Sequence, residues 1–144
     1  MEAGAQAYAE GVSLDWKCGV LAEGLACYRN GEFFEAHEHW ESVWLASQEP
    51  EKSFVQALIQ IAAAFHHLRA GNRAGAVSLL RRALRRLELC PARFAGIAVA
   101  SLCAGVSEWL SATESAVLPV PAAFPPICPI EAAPDRAPGS GLRS

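Results

Sequence analysis

Eight positions of this chain recur forty residues further on. Leu21, Leu25, Tyr28, Arg29, Gly31, Ala36, Trp40 and Trp44 align with Ile61, Phe65, Leu68, Arg69, Gly71, Ala76, Leu80 and Leu84. In each half, apolar residues at helical spacing lead to a glycine, and a second apolar helix carries an alanine five positions later. Glycine ends a helix because it enters left-handed φ at low cost. The alanine lets the paired helix approach closely. The unit is therefore a helix, a tight turn and an antiparallel helix. Stacked hairpins of this kind build tetratricopeptide-type solenoids, whose usual period is about 34 residues. The same pattern also arises from any two helical hairpins in a bundle. Both readings give an all-α fold, a compact bundle of about five helices built from antiparallel helical hairpins.

Stop and start signals place the helices. Ser13 caps a helix that runs to about Arg29, and Asn30-Gly31 stops it. A second helix reaches about Ala46. Ser47-Gln-Glu-Pro50 is a loop, with Pro50 suited to open a third helix that continues to Ala70. Asn72 caps a fourth helix to about Leu89, closed by Cys90-Pro91. A last helix lies within 94–113. The third helix is apolar around most of its circumference, with only Gln56, Gln60 and His67 as a polar stripe, so neighbours bury it on several sides. That places His66 on a packed face and turns His67 outward.

Three regions follow: a flexible N-terminus over 1–12, the helical domain over 13–115, and a Pro/Ala/Gly-rich disordered tail over 116–144. The tail holds seven prolines, which deny regular helix hydrogen bonding. Phe124, Ile127 and Ile130 are the residues that could instead dock it as an extended strap.

Composition excludes several classes of function. The formal net charge of −3 leaves no electrostatic footprint for nucleic acid or for an anionic membrane. No apolar run reaches the roughly 18 residues a membrane span needs, and no leader of the basic-then-apolar type opens the chain. The expected location is cytoplasmic. The five cysteines, at 18, 27, 90, 103 and 128, form no Cys-x-x-Cys pair. Most are expected to be reduced and buried as small apolar residues; a catalytic or zinc-binding cysteine is the secondary reading.

Chemistry concentrates in Gly31-Glu-Phe-Phe-Glu-Ala-His-Glu-His-Trp-Glu-Ser-Val-Trp44. With Phe33 at zero and about 100° per residue, Phe33, Trp40 and Trp44 fall within about 20° of one another. His37 lands near 40° and Glu41 near 80°, ahead of Phe34 and Leu45, as about 100° per residue requires. Both groups therefore sit in the aromatic stripe. A buried carboxylate is costly unless paired, so Glu41 calls for a partner, a proton or a metal. His37-Glu38-x-x-Glu41 is half of a zincin pattern, lacking the second histidine. His66 on the adjacent hairpin could complete a divalent-metal site, with Glu38 as a fourth ligand or base. The plainer alternative is a polar network that satisfies itself inside an aromatic core. Trp40 and Trp44 read as core, with an aromatic ligand wall as the lesser alternative; His39 and Glu35 read as surface. Arg73, Arg81, Arg82, Arg85 and Arg86 read as a solvated face, with a phosphate-contacting stripe as the alternative. There is no Gly-x-Ser-x-Gly and no phosphate loop.

The motif helix, with Val55-Gln-Ala-Leu-Ile-Gln-Ile-Ala-Ala-Ala-Phe-His66 and Gly71-Asn-Arg-Ala-Gly-Ala76, resembles the domain of unknown function 309 family over roughly residues 18–112. The resemblance implies a small, all-helical, soluble domain of bacterial type and, as the family's name states, no assigned activity. Its motif positions carry over to Glu35, His37, Glu38, Glu41, Trp44, Gln56 and His66. One departure is that Gly96-Ile-Ala98 lacks the acid that opens the last helix in such domains, which leaves the start of that helix open. The function expected is a non-enzymatic protein-interaction or structural module with a buried His/Glu cluster. Its partner would be another protein or a second copy of the chain, with neither membrane nor nucleic acid. The alternative is a metal-binding protein or metal-dependent hydrolase using His37, Glu41 and His66, with a divalent metal as cofactor.

Overall fold

The structure, a computed structural model, describes residues 14–115 and 120–130. Five helices account for most of these: α1 (Val20–Arg29), α2 (Phe33–Ala46), α3 (Glu51–Arg69), α4 (Arg73–Glu88) and α5 (Val99–Ser115). Between α4 and α5 lies a two-stranded antiparallel hairpin, β1 (Arg93–Phe94) and β2 (Ile97–Ala98). Each helix packs chiefly on its neighbour in sequence. No helix among the described residues is long and apolar enough to cross a membrane.

The forty-residue echo is a structural repeat. At the first turn, Gly31 N–H donates to the Tyr28 carbonyl at 3.0 Å and Glu32 N–H to Cys27 at 2.8 Å. At the second, Gly71 N–H donates to Leu68 at 3.1 Å and Asn72 N–H to His67 at 2.8 Å. Gly31 (φ 79°) and Gly71 (φ 88°) both occupy the left-handed region that this helix ending requires. Ala36 and Ala76 are fully buried, as the close approach of paired helices demands. The Asn72 side chain caps α4, accepting from Gly75 N–H at 3.0 Å.

The repeat also shows a size compensation. Trp40 in the first hairpin corresponds to Leu80 in the second, and both are fully buried. Gly24, which meets Trp40, has Ala64 as its counterpart forty residues on. A Cβ on Gly24 would lie 2.6 Å from Trp40 Cδ1 and 2.9 Å from Cε2. The larger ring lies over a residue without a side chain, and at the corresponding positions of the second hairpin stand a buried leucine and a buried alanine.

The first helix starts later than its sequence suggests. Ser13 lies outside the described residues, and α1 begins at Val20, after Gly19 at φ 88°. A tertiary anchor holds the preceding residues away from the helix. Trp16 is buried, and its indole N–H donates to the Ala95 carbonyl at 2.9 Å. Ala95 (φ 53°) and Gly96 (φ 81°) form the tight turn of the β-hairpin. The missing capping acid of α5 is replaced by backbone: Val99 and Ala100 N–H groups donate to the Ala92 carbonyl at 2.8 and 3.1 Å. These are orphan donors of the first turn.

The disordered-tail expectation fails for residues 120–130, which run as a strap across the bundle. Ile127 is buried at 2% exposure. The strap joins the hairpin as a third extended segment. Pro129 pairs with Ile97, Ala98 N–H donates to the Cys128 carbonyl at 3.0 Å, and Ile130 N–H donates to Gly96 at 2.8 Å. The domain therefore does not end at residue 115. Residues 1–12, 116–119 and 131–144, assigned above to a flexible N-terminus and a disordered tail, lie outside the described residues.

Candidate functional site

The motif residues of α2 divide between core and surface, and the division differs from the helical-wheel expectation. Phe33, Ala36 and Trp40 are buried. His37 and Trp44 are half-buried, and Glu35, Glu38 and Glu41 are exposed. The packed arc is centred on Ala36 and Trp40, where α2 meets α1. Phe34 and Leu45 made the apolar stripe look wider than the arc that packs; they are 48% and 69% exposed. Glu41 lies on the same exposed side and faces solvent, so no burial cost calls for a partner. Glu41→Ala should therefore change stability by less than about 0.5 kcal/mol, as at an ordinary surface site, with an unchanged urea midpoint as the check.

The assignment of the adjacent histidines is reversed. His66 is exposed and His67 is half-buried. His66 sits in the last turn of α3, opposite the first turn of α2, where the packed face has run out of neighbours. His67 Nδ1 is instead paired with the Asn72 amide nitrogen at 3.1 Å.

His37 and His66 still share one contact, through Phe34 rather than Glu41. The Phe34 ring stacks on His37 with centroids 6.1 Å apart and lies 5.5 Å from His66. One turn pair along, Trp44 Nε1 donates to Gln56 Oε1 at 3.2 Å, and Lys52 Nζ lies 4.3 Å over the Trp44 ring. His37, Trp44, Gln56 and His66 thus line the outer seam between α2 and α3. Inside that seam, His37 Nδ1 and Gln60 Oε1 are enclosed without a hydrogen-bond partner among the described residues. No three His, Cys, Asp or Glu side chains among the described residues group closely enough to hold a metal ion. His39, expected on the surface, is half-buried, with Nδ1 3.8 Å from Glu23 Oε1.

The cysteine and arginine positions resolve separately. Cys18 and Cys128 are exposed, and Cys27, Cys90 and Cys103 are half-buried. The Asp15 carboxylate raises the Cys18 thiol pKa, and burial raises those of Cys27 and Cys103 and pushes Cys90 to about 11. These four thiols are held protonated, the opposite of nucleophile activation. Arg73 ties α4 to the end of α5, donating to the Thr113 and Glu114 carbonyls at 2.6 and 2.9 Å, and Arg81 pairs with the Glu114 carboxylate. Arg82 and Arg85 are exposed.

Sequence reasoning missed a second constellation: Tyr28, Arg29 and Trp109, which hold the strap by its backbone. The echo offered a signal, since Arg69 donates to the Gly31 carbonyl at 2.7 Å and Arg29 is its counterpart.

A hairpin-repeat domain with four motif residues along one helical seam is the class that fold and site define. Residues 21–79 match the model of a domain of unknown function, DUF309. The chain is also 32% identical over 96 residues to an uncharacterized protein of Aquifex aeolicus (strain VF5). That match covers 66% of this chain and 29% of the relative's length.

Proposed function

We propose that this domain is a non-enzymatic protein-interaction module whose contact face is the outer seam of α2 and α3. The observation that carries it is Phe34, a ring 48% exposed and flanked by the His37 and His66 imidazoles. An exposed aromatic held in place by neighbouring rings is the kind of rigid anchor that dominates interface energetics. Leu45, farther along the same helix, extends the apolar surface. The Aquifex relative supports the modular reading, since the matched stretch is a minor part of a longer protein. No observation favours the metal-dependent alternative, since no third ligand joins His37 and His66 among the described residues.

The test places a photo-crosslinking residue at position 34, and at Arg82 as a control, in the full chain expressed in its source cells. A partner captured from position 34 is then purified and titrated against wild type and Phe34→Ala. The expected loss is at least tenfold in affinity, about 1.4 kcal/mol, with an unchanged melting curve. Equal capture from both positions, or equal affinity of both proteins, would overturn the reading.

A further inference from the structure

Residues 123–127, Ala-Phe-Pro-Pro-Ile, lie in a groove built from α1, α2, α3 and α5. Three side chains grip them by alternate backbone carbonyls. Trp109 Nε1 donates to Ala123 at 2.8 Å, the Tyr28 hydroxyl to Pro125 at 2.8 Å, and Arg29 Nη2 to Ile127 at 3.0 Å. Phe124 inserts between rings, stacked on Trp109 with centroids 5.5 Å apart and 4.9 Å from both Phe33 and Phe65. Gly105 opens the floor. A Cβ there would lie 2.9 Å from Pro125 Cα and 2.9 Å from Pro126 Cδ.

Indole and phenol donors directed at the carbonyls of an extended, proline-containing segment over an aromatic floor are how proline-rich peptides are recognised. The grips read main chain, and prolines bring no N–H that needs an acceptor. A cleft of about 290 Å³ remains beside the strap, lined by Tyr28, Arg29 and residues 123–128. The repeat explains why the groove exists. Arg69 holds the carbonyl of the preceding turn, Gly31, and Arg29 has no preceding hairpin among the described residues and holds the strap instead. The strap fills the place of a further repeat.

We propose that this groove is a binding site for an extended peptide of the form aromatic-Pro-Pro-apolar on a partner protein, which the chain's own residues 123–127 occupy in cis and which the partner takes by displacing them. The proposal rests on the interaction-module reading but uses a different face, so Phe34→Ala leaves it untouched and the two fail separately. A tethered occupant competes at an effective concentration in the millimolar range. An untethered peptide therefore binds the intact chain poorly and a chain with a weakened strap well.

The experiment titrates a fluorescent peptide of residues 120–130, with serine for Cys128, into three full-length proteins. Phe124→Ala/Ile127→Ala should bind it at least tenfold more tightly than wild type. Adding Gly105→Ala should abolish binding while leaving the helical circular dichroism intact, because the atoms nearest the new methyl are the occupant's Pro125 and Pro126 and alanine favours helix. A folded double variant that does not bind, or binding indifferent to Gly105→Ala, overturns the proposal. A double variant that unfolds also overturns it, since a groove that cannot stand empty cannot exchange occupants. Dimerisation of wild type with rising concentration would assign the second occupant to another copy of the chain and overturn the partner reading.

Discussion

Trp40→Ala is expected to destabilise the domain by about 3–5 kcal/mol, the range for removing a fully buried large aromatic. A domain of this size has about 5–15 kcal/mol of stability, so the melting temperature should fall by more than about 10 °C. The ring is fully buried, lies over Gly24, sits 5.9 Å from Tyr28, and donates its indole N–H to the Leu21 carbonyl at 3.3 Å. The size compensation between hairpins sharpens the test. Gly24→Ala alone should cost about 1–3 kcal/mol, because the added methyl meets a ring that cannot move. Gly24→Ala with Trp40→Leu places the residues of the second hairpin, Ala64 and Leu80, at the corresponding positions and should be more stable than the two single losses predict by at least about 1 kcal/mol. Urea unfolding of the four proteins gives the coupling directly. Strict additivity would mean that the repeat does not extend to packing.

A chain ending at Ser115 is expected to be about 2–4 kcal/mol less stable than the full chain. Burial of a side chain such as Ile127 contributes about 1.5–3 kcal/mol, and each bond from Tyr28, Arg29 and Trp109 contributes about 1 kcal/mol. The entropy of ordering the strap opposes these terms, less so at its prolines. Truncation also uncovers the Phe33, Phe65 and Trp109 rings. Thermal melts of the two chains, with limited proteolysis of the full one, check this. Rapid cleavage within 123–128 and an unchanged melt would return residues 120–130 to a disordered tail.

The parts of the fold legible in the sequence are those fixed locally. Gly31, Gly71 and Asn72 ended and began helices within a residue or two of where periodicity placed them, since their chemistry acts on adjacent backbone. The parts that were not legible depend on contacts far along the chain. Trp16 reaches Ala95, and Tyr28 reaches Pro125. Proline content argued for disorder in the tail, and only Phe124, Ile127 and Ile130, apolar residues among the prolines, pointed the other way. At the candidate site, the wheel gave the angle of Glu41 and His66 but not the width of the packed arc, because exposed Phe34 and Leu45 carry the same apolar signature as core. The clustering of His37 and His66 about one ring is visible only once the antiparallel register of α2 and α3 is known.

The order of contacts along the chain has a consequence for synthesis. Each helix rests mainly on the one made just before it, so the hairpins can form in sequence while the polypeptide is still emerging from the ribosome. The strap bonds are of another kind. The Arg29 guanidinium waits for a carbonyl 98 positions downstream, and the Tyr28 hydroxyl for one 97 downstream. Until those residues appear, the aromatic groove between α1 and α5 is open to other chains in the nascent protein's surroundings. Residues 123–127 close it, so this surface is completed only after all five helices that frame the bundle have been made.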